Sequence, residues 1–511
     1  MRTLLTALWF SSIAVTSLTA QSWPTDDAVL RRIWQVGMDD SRAERIAQPL
    51  MDSIGPRLTG TPEMLRANEW AVQLMEGWGI EARNEEYGTW MAWSRGPTHI
   101  DLIAPRVRTL EGTLLAWSAG TAGPIEGDVV TIPDFQTTAQ FEAWLTGVRG
   151  KFVALSFPQP TCRPDRQFEE FGTPGALERM QTERAAAGIP FDARERVLPL
   201  IRSGLEAAGA AGILQSEWAG EMGVNRIYYA NLARTPVVDL SCEDYGLLWR
   251  LAANGQGPRL RLNAEAESMG EQPVYNTIGM IRGRELPDEY VVLSAHFDSW
   301  DGASGATDNG AGVTVMLEAM RILATAYPNP RRTILLGLWS GEEQGLNGSR
   351  RFVGMHPEVV DGLQALFNHD EGTGRVFNIS SQGMLDAGAH LTRWMAQVPT
   401  EISAGITLDV PGLPSAGSSD HAAFICAGVP AINFKSVSWN YPEQTWHSNR
   451  DSYDKLVFEE IRSDAVLTAM LAYLAADDPQ RVGPTRRELP AGADGQPQPW
   501  PTCAAGAAAT N

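Results

Sequence analysis

From residue 275 onward the chain alternates apolar runs of strand length with runs of helical period. "VVLSAHFD" is followed by "VTVMLEAMRILATAY", and then come "TILLGLWSG", "GSRRFVGM" and "LQALFNHDEG". Strands separated by helices cannot pair as hairpins, and near-continuous apolar strands are those buried on both faces. The pattern predicts βαβ units and an α/β fold with a mostly parallel core sheet flanked by helices. It also says where to look for chemistry, because such sheets bind their ligands beyond the carboxyl ends of the strands.

What the strands deliver there is unusual. "VVLSAHFD" ends on His296 and Asp298, two apart and so on one face of an extended segment. A carboxylate beside a ligand histidine fixes its tautomer and strengthens it as a donor. The glycine-rich loop that follows offers Asp301 and then Asp308, the latter in "DNGAG" at the mouth of the next helix. "TILLGLWSGEEQG" delivers Glu342 and Glu343, neighbours that point to opposite sides. One can bind a metal while the other faces a substrate water, and the residues alone do not say which. Two adjacent carboxylates repel unless a cation or a proton neutralises them. "LQALFNHDEG" delivers Asp370, and "YPEQTWHSNRD" delivers His447 after the strand "PAINFKS".

Taken singly, each residue has a plainer explanation. A histidine at a strand end is usually a core residue, an aspartate before a helix is usually an N-cap, and a Glu-Glu pair is usually solvated. Together they place two histidines and several carboxylates at the strand ends of one sheet, in a chain with seven histidines. That donor set suits zinc, and a shared carboxylate suits a pair of zinc ions. The other histidines (His99, His356, His369, His390 and His421) are assigned to structure.

Composition narrows the partners. With 43% apolar residues, the 511-residue chain can build a large core. A net charge of −20 argues against nucleic acid or an anionic membrane as the main partner. "MRTLLTALWFSSIAVTSLTAQS" has the pattern of a secretory signal peptide, residues 1–20, with an apolar run too short for a stable membrane span. Residues 21–110 and 271–480 are read as one catalytic domain. Residues 111–270 carry short β-like runs and are read as an insertion, with a charged helical arm near 163–197. Residues 481–511, rich in Pro, Gly and Ala, are read as a flexible tail. The four cysteines contain no Cys-x-x-Cys. Cys162 with Cys242 is the pairing considered, and Cys426 is read as a small buried apolar residue.

The motifs "SAHFDSWDGASGATDNGAG", "LLGLWSGEEQGLNGS", "FNHDEGTG", "SSDHAAFICAGVPAINF" and "WHSNRDSYDKL" resemble, in order, those of the co-catalytic two-zinc exopeptidases. That group includes bacterial leucyl aminopeptidases, glutamate carboxypeptidase and the transferrin receptor ectodomain. The resemblance spans roughly residues 25–480, "DSIGPRLTGTPE" included. It implies that His296 and Asp370 bind one Zn2+, that Glu343 and His447 bind a second, and that Asp308 bridges the two. It makes Glu342 the general base and Asp298 the residue that orients His296. It implies a cis peptide bond at Asp308–Asn309 and makes the insertion a β-rich protease-associated lid. The implied activity is hydrolysis of short peptides from one end, by an aminopeptidase, dipeptidase or carboxypeptidase, through a metal-activated water. The leader pattern implies a secreted or periplasmic setting, and the resemblance puts a homodimer among the expected states. Trp300, Trp439, Tyr441 and Trp446 flank the motifs and are candidates to line the substrate pocket. A glutaminyl-peptide cyclotransferase with one zinc and a non-catalytic receptor-like binding protein share the fold. Retention of every donor from His296 to His447 favours the peptidase.

Overall fold

The computed structural model describes residues 25–135, 137–195, 198–492 and 495–502. The expected leader over residues 1–20 lies outside the described residues, as does Cys503. The protein is a mixed α/β structure built on one large sheet flanked by helices. Four strands form the parallel centre in the spatial order Ala431–Ser436, Leu363–His369, Leu286–His296 and Arg332–Trp339. Every residue of Leu363–His369 and of Arg332–Trp339 is buried, which is why both read as unbroken apolar runs. Val376–Ser380 adds antiparallel on one side, and Arg259–Ile281 on the other. The register pairs His296 with Trp339, Ser294 with Asn368, and His369 with Phe434. The carboxyl ends of the central strands therefore come out together.

The helices Ala311–Ala326 and Phe458–Asp477 pack on each other and on the central strands. They bury Met316, Leu317, Met320 and Leu323 from one, and Leu467, Met470 and Leu471 from the other. Each such side chain contributes about 1.5–3 kcal/mol when fully removed from water. Glu318 is buried among them without being orphaned. It takes Arg321 Nε at 2.7 Å, Arg321 Nη2 at 2.8 Å and the Arg42 amide at 2.8 Å. This core fixes the first turn of Ala311–Ala326, and with it the position of Asp308 just before.

The expected boundary at residue 270 lies in regular structure. It falls inside the strand Arg259–Ile281, which pairs along its length with Glu81–Ala104, from Glu81↔Met280 to Ala104↔Arg259. Bulges, the first between Glu86 and Gly88, bend this ribbon. Its far end feeds a second core in which Leu102, Leu114, Phe152, Leu214, Val238, Leu240 and Leu260 meet. There Ile125–Thr131, Phe152–Ala154, Gly212–Gln215 and Val237–Leu240 run parallel, in the stretches read as β-like. The charged arm is helical over Asp165–Phe171 and Ala176–Glu195. The Cys162–Cys242 disulfide ties the start of the arm to the helix Cys242–Ala253.

Two expectations fail. Cys426 is half-buried and disulfide-bonded rather than a plain core residue. It lies in the last turn of His421–Ala427, a helix end that meets the C-terminal segment. That segment is no loose tail up to residue 502. Val482 is buried, the Leu385 amide bonds Thr485 O, and Trp500 Nε1 donates to Ile425 O at 2.7 Å. Its Pro and Gly content suits a strap that follows a surface without regular structure. No helix of the described residues is long and apolar enough to cross a membrane.

Candidate metal centre

The strand ends and two loops bring five of the predicted residues into one cluster. His296 closes its strand, and its Nε2 lies 3.2 Å from Asp308 Oδ1 and 3.2 Å from Asp370 Oδ1. His447 arrives from the loop after Ala431–Ser436. Its Nε2 lies 2.9 Å from Glu343 Oε2 and 3.4 Å from Asp308 Oδ2. Asp308 thus turns one oxygen to each histidine, so the donors fall into two sets that share a carboxylate. The Asp308–Asn309 peptide is cis, as the resemblance implied. Asn309 is held by its own bond from Nδ2 to His369 O at 2.9 Å.

The cluster is poorly satisfied by protein groups alone. Asp308 Oδ2, Glu343 Oε1 and His447 Nδ1 are buried without a hydrogen-bond partner among the described residues. Buried polar atoms are rarely left so. Desolvation pushes Glu342 well above the ordinary carboxylate range, and Asp370 and Glu343 push it further. Desolvation followed by Asp308 does the same to Glu343. Desolvation works to lower His296, but Asp370 and Glu342 outweigh it and raise the ring well above its usual value. Burial lowers His447 to about 4, so its ring is neutral near pH 7. Carboxylates that repel, orphaned oxygens and a neutral imidazole fit divalent cations, which remove the repulsion and take up the free lone pairs.

The surrounding residues explain how the donors are aimed. His296 Nδ1 faces the main-chain oxygen of Asp298 at 3.0 Å, and the Asp298 carboxylate only at 3.7 Å. The carboxylate does something the sequence did not disclose. Its oxygens accept the amides of Glu342 at 3.1 Å and Glu343 at 3.3 Å, and the Thr59 hydroxyl at 3.2 Å. Asp298 therefore couples two strand ends. Asp301 is outside the cluster, because Arg95 takes both its oxygens at 2.9 and 2.6 Å.

Sequence reasoning missed Asp451 and Arg57. Asp451 Oδ2 accepts the Asp308 amide at 3.0 Å, while Oδ1 accepts the Thr307 amide and hydroxyl, each at 2.7 Å. Arg57 is fully buried and donates to Phe297 O at 2.7 Å, Ser304 O at 2.8 Å, Gly305 O at 2.9 Å and Gly55 O at 3.1 Å. These two side chains grip the loop between His296 and Asp308 at several points. "WHSNRDSYDKL" and "DSIGPRLTGTPE" contain them, and the charge in each motif was the available signal.

Residues 276–472 match the model of peptidase family M28. That stretch is under half of the chain, and together with the relatives that follow it supports a zinc metallopeptidase. The chain is similar to carboxypeptidase Q of Rattus norvegicus, 26% identical over 428 residues, which are 84% of this chain and 84% of that protein. It is similar to carboxypeptidase Q of Homo sapiens, 26% identical over 435 residues and 85% of each chain. In fold it is similar to a peptidase M28 precursor from Shewanella amazonensis SB2B, with TM-score 0.67 and 22% identity. That match covers 90% of this chain and 98% of the other. It is likewise similar to the zinc aminopeptidase BSAP of Bacillus subtilis, with TM-score 0.53 and 19% identity over 87% and 97% of the two chains.

The second core reaches over the cluster. The Ile227 amide bonds His447 O at 2.7 Å, and Arg226 donates to Trp446 O and Pro442 O. Trp300 donates from Nε1 to Glu343 Oε2 at 2.8 Å and meets Trp117 and Tyr228 edge-on. Trp446 stacks on the His447 ring with centroids 4.0 Å apart. Tyr441, Trp446 and the cluster line a cavity of about 620 Å³. Glu343 and Gly345 also line a neighbouring groove of about 1280 Å³ with Trp90, Trp93, Trp117 and Tyr229. Trp439 is 54% exposed and lies outside both.

Proposed function

We propose that the chain is a zinc metallo-exopeptidase that holds two Zn2+ and hydrolyses short peptides. The observation that carries this reading is the sharing of Asp308 between two histidines through its two oxygens. His296, Asp370 and Asp308 would hold one ion, and His447, Glu343 and Asp308 the other. When bound, zinc lowers the pKa of water to about 7 and polarises a carbonyl oxygen. Glu342 takes the water proton and passes it to the leaving amine, a role that its raised proton affinity suits. Asp298 holds the Glu342 amide and so keeps the base in place. The exopeptidase reading is supported by a cavity sized for a short peptide and by the second core above it. On the same reading residues 111–270 are a protease-associated lid, and residues 1–20 direct the protein to a secreted or periplasmic setting.

The test is metal content of the purified protein with hydrolysis of a dipeptide panel, before and after chelation. Two zinc ions per chain, loss of hydrolysis to background with chelator and recovery on adding zinc are the expected results. One zinc with formation of pyroglutamyl product would favour the cyclotransferase instead. A smaller effect is expected at the support. Asp451→Asn keeps an acceptor but loses one contact to the Thr307 or Asp308 amide. Zinc affinity should fall about 10–100-fold, read by competition with a chromogenic chelator. Unchanged affinity would remove Asp451 from the aiming of Asp308.

A further inference from the structure

The wall of the metal-lined cavity contains a guanidinium that nothing described so far uses. Arg350 lines it with Asp308, Glu342, Glu343, Asp370 and Glu371. It pairs with none of them. Its Nε is buried without a partner, and its side chain makes no hydrogen bond or ion pair among the described residues. Its neighbour Arg351 is engaged, donating from Nε to Tyr87 O. A cation among five carboxylates would ordinarily pair with one. Four of these are turned to metal or water on the reading above, which leaves Arg350 as a free positive group.

Arg350 is also firmly mounted. Its helix, Asn347–Met355, is tied at its start to the strand end that carries Glu342 and Glu343. The Leu346 amide bonds Glu342 O at 2.9 Å, the Asn347 amide bonds Gly341 O at 2.9 Å, and the Gly348 amide bonds Ser340 O at 2.9 Å. A Cβ at Gly348 would come within 2.5 Å of Ser340 O and 2.2 Å of Asn276 Oδ1, so this contact needs glycine. The base, one metal donor and Arg350 therefore move as one piece.

A planar guanidinium with unused donors matches a carboxylate, which it can take with two parallel hydrogen bonds. Short peptides always carry one such group, the α-carboxylate. We infer that Arg350 binds the α-carboxylate of the substrate, so that this site reads a free C-terminus within reach of the scissile bond. This rests on the peptidase reading and deepens it. An enzyme that reads the C-terminus from the wall of a cavity this small acts on dipeptides and other very short chains. A longer peptide would have to place its C-terminus there too.

The test compares Leu-Ala, Leu-Ala amide and Leu-Asp amide on the zinc-loaded wild type, Arg350→Gln and Arg350→Lys. Wild type should favour Leu-Ala over its amide by on the order of 10–100-fold in kcat/KM, mostly through KM. Arg350→Gln should bring that ratio close to one, and Arg350→Lys should restore part of it. The amide serves as the control for folding, since its hydrolysis needs the metals and Glu342 but no carboxylate. Equal use of acid and amide by wild type, or a ratio that Arg350→Gln leaves unchanged, overturns the inference while the peptidase reading stands. A preference for Leu-Asp amide over Leu-Ala amide that vanishes in Arg350→Gln overturns it in favour of an acidic side chain as the ligand. Zinc-loaded wild type that cleaves none of the three would bring down the peptidase reading and this inference together.

Discussion

Glu342→Ala should lower kcat by about 10²–10⁴-fold and leave two zinc ions per chain. The expectation comes from the difference between two adjacent carboxylates. Glu343 lies 2.9 Å from His447 Nε2 and is fixed by Trp300, so it belongs with the donors. Glu342 lines the same cavity, and among the described residues its carboxylate forms no ion pair with either histidine. Its main chain is held by Asp298, so truncating the side chain should not move the strand end. Glu343→Ala is the paired control and should lose zinc along with activity. Turnover measured beside zinc content separates the two roles. Loss of a zinc ion in Glu342→Ala would make that residue a ligand, and near-normal turnover would dismiss it as the base.

The pattern that placed the donors in sequence was local. Each of His296, Glu342, Glu343 and Asp370 follows an apolar run, and a buried strand that ends abruptly in charge is visible without knowing its neighbours. His447 and Asp308 were reached through the motif resemblance as much as through periodicity. The support residues were harder for a physical reason. Arg57 acts on carbonyls some 240 residues away, and Asp451 on amides some 143 away. A bond to main chain leaves no mark on the partner's identity. Asp298 does more than its spacing disclosed: its carboxylate lies 3.7 Å from His296 Nδ1 and also accepts the Glu342 and Glu343 amides. Asp301 looked like a donor because nothing in its loop shows that Arg95, on a distant strand, takes it. Composition changes at residue 270 while the strand Arg259–Ile281 runs through it, so that boundary has no local mark in the backbone.

The second large effect concerns stability and metal together. Arg57→Ala should destabilise the protein by roughly 3–5 kcal/mol, a size reserved for buried charged networks. Burial lowers the Arg57 pKa to about 10, with Asp451, Asp298 and Asp308 opposing that shift, so the group remains charged at neutral pH. Its donors satisfy the carbonyls of Phe297, Ser304 and Gly305 in the turn that carries the chain from His296 to Asp308. Alanine strips the guanidinium from those carbonyls, of which Gly305 O keeps the Gly310 amide, and removes a buried cation that is coupled to Asp451, Asp298 and Asp308. Arg57→Lys keeps the charge but cannot span the fork of acceptors, so it should recover only part of the loss. Urea unfolding of the zinc-free variants isolates the structural cost from metal binding. Zinc affinity, measured separately, should fall as well, because Asp308 reaches the cluster through the turn that Arg57 holds. A zinc-free Arg57→Ala protein as stable as wild type would show that water replaces the guanidinium at little cost. If zinc binding also survived, the turn would be held by Asp451 alone.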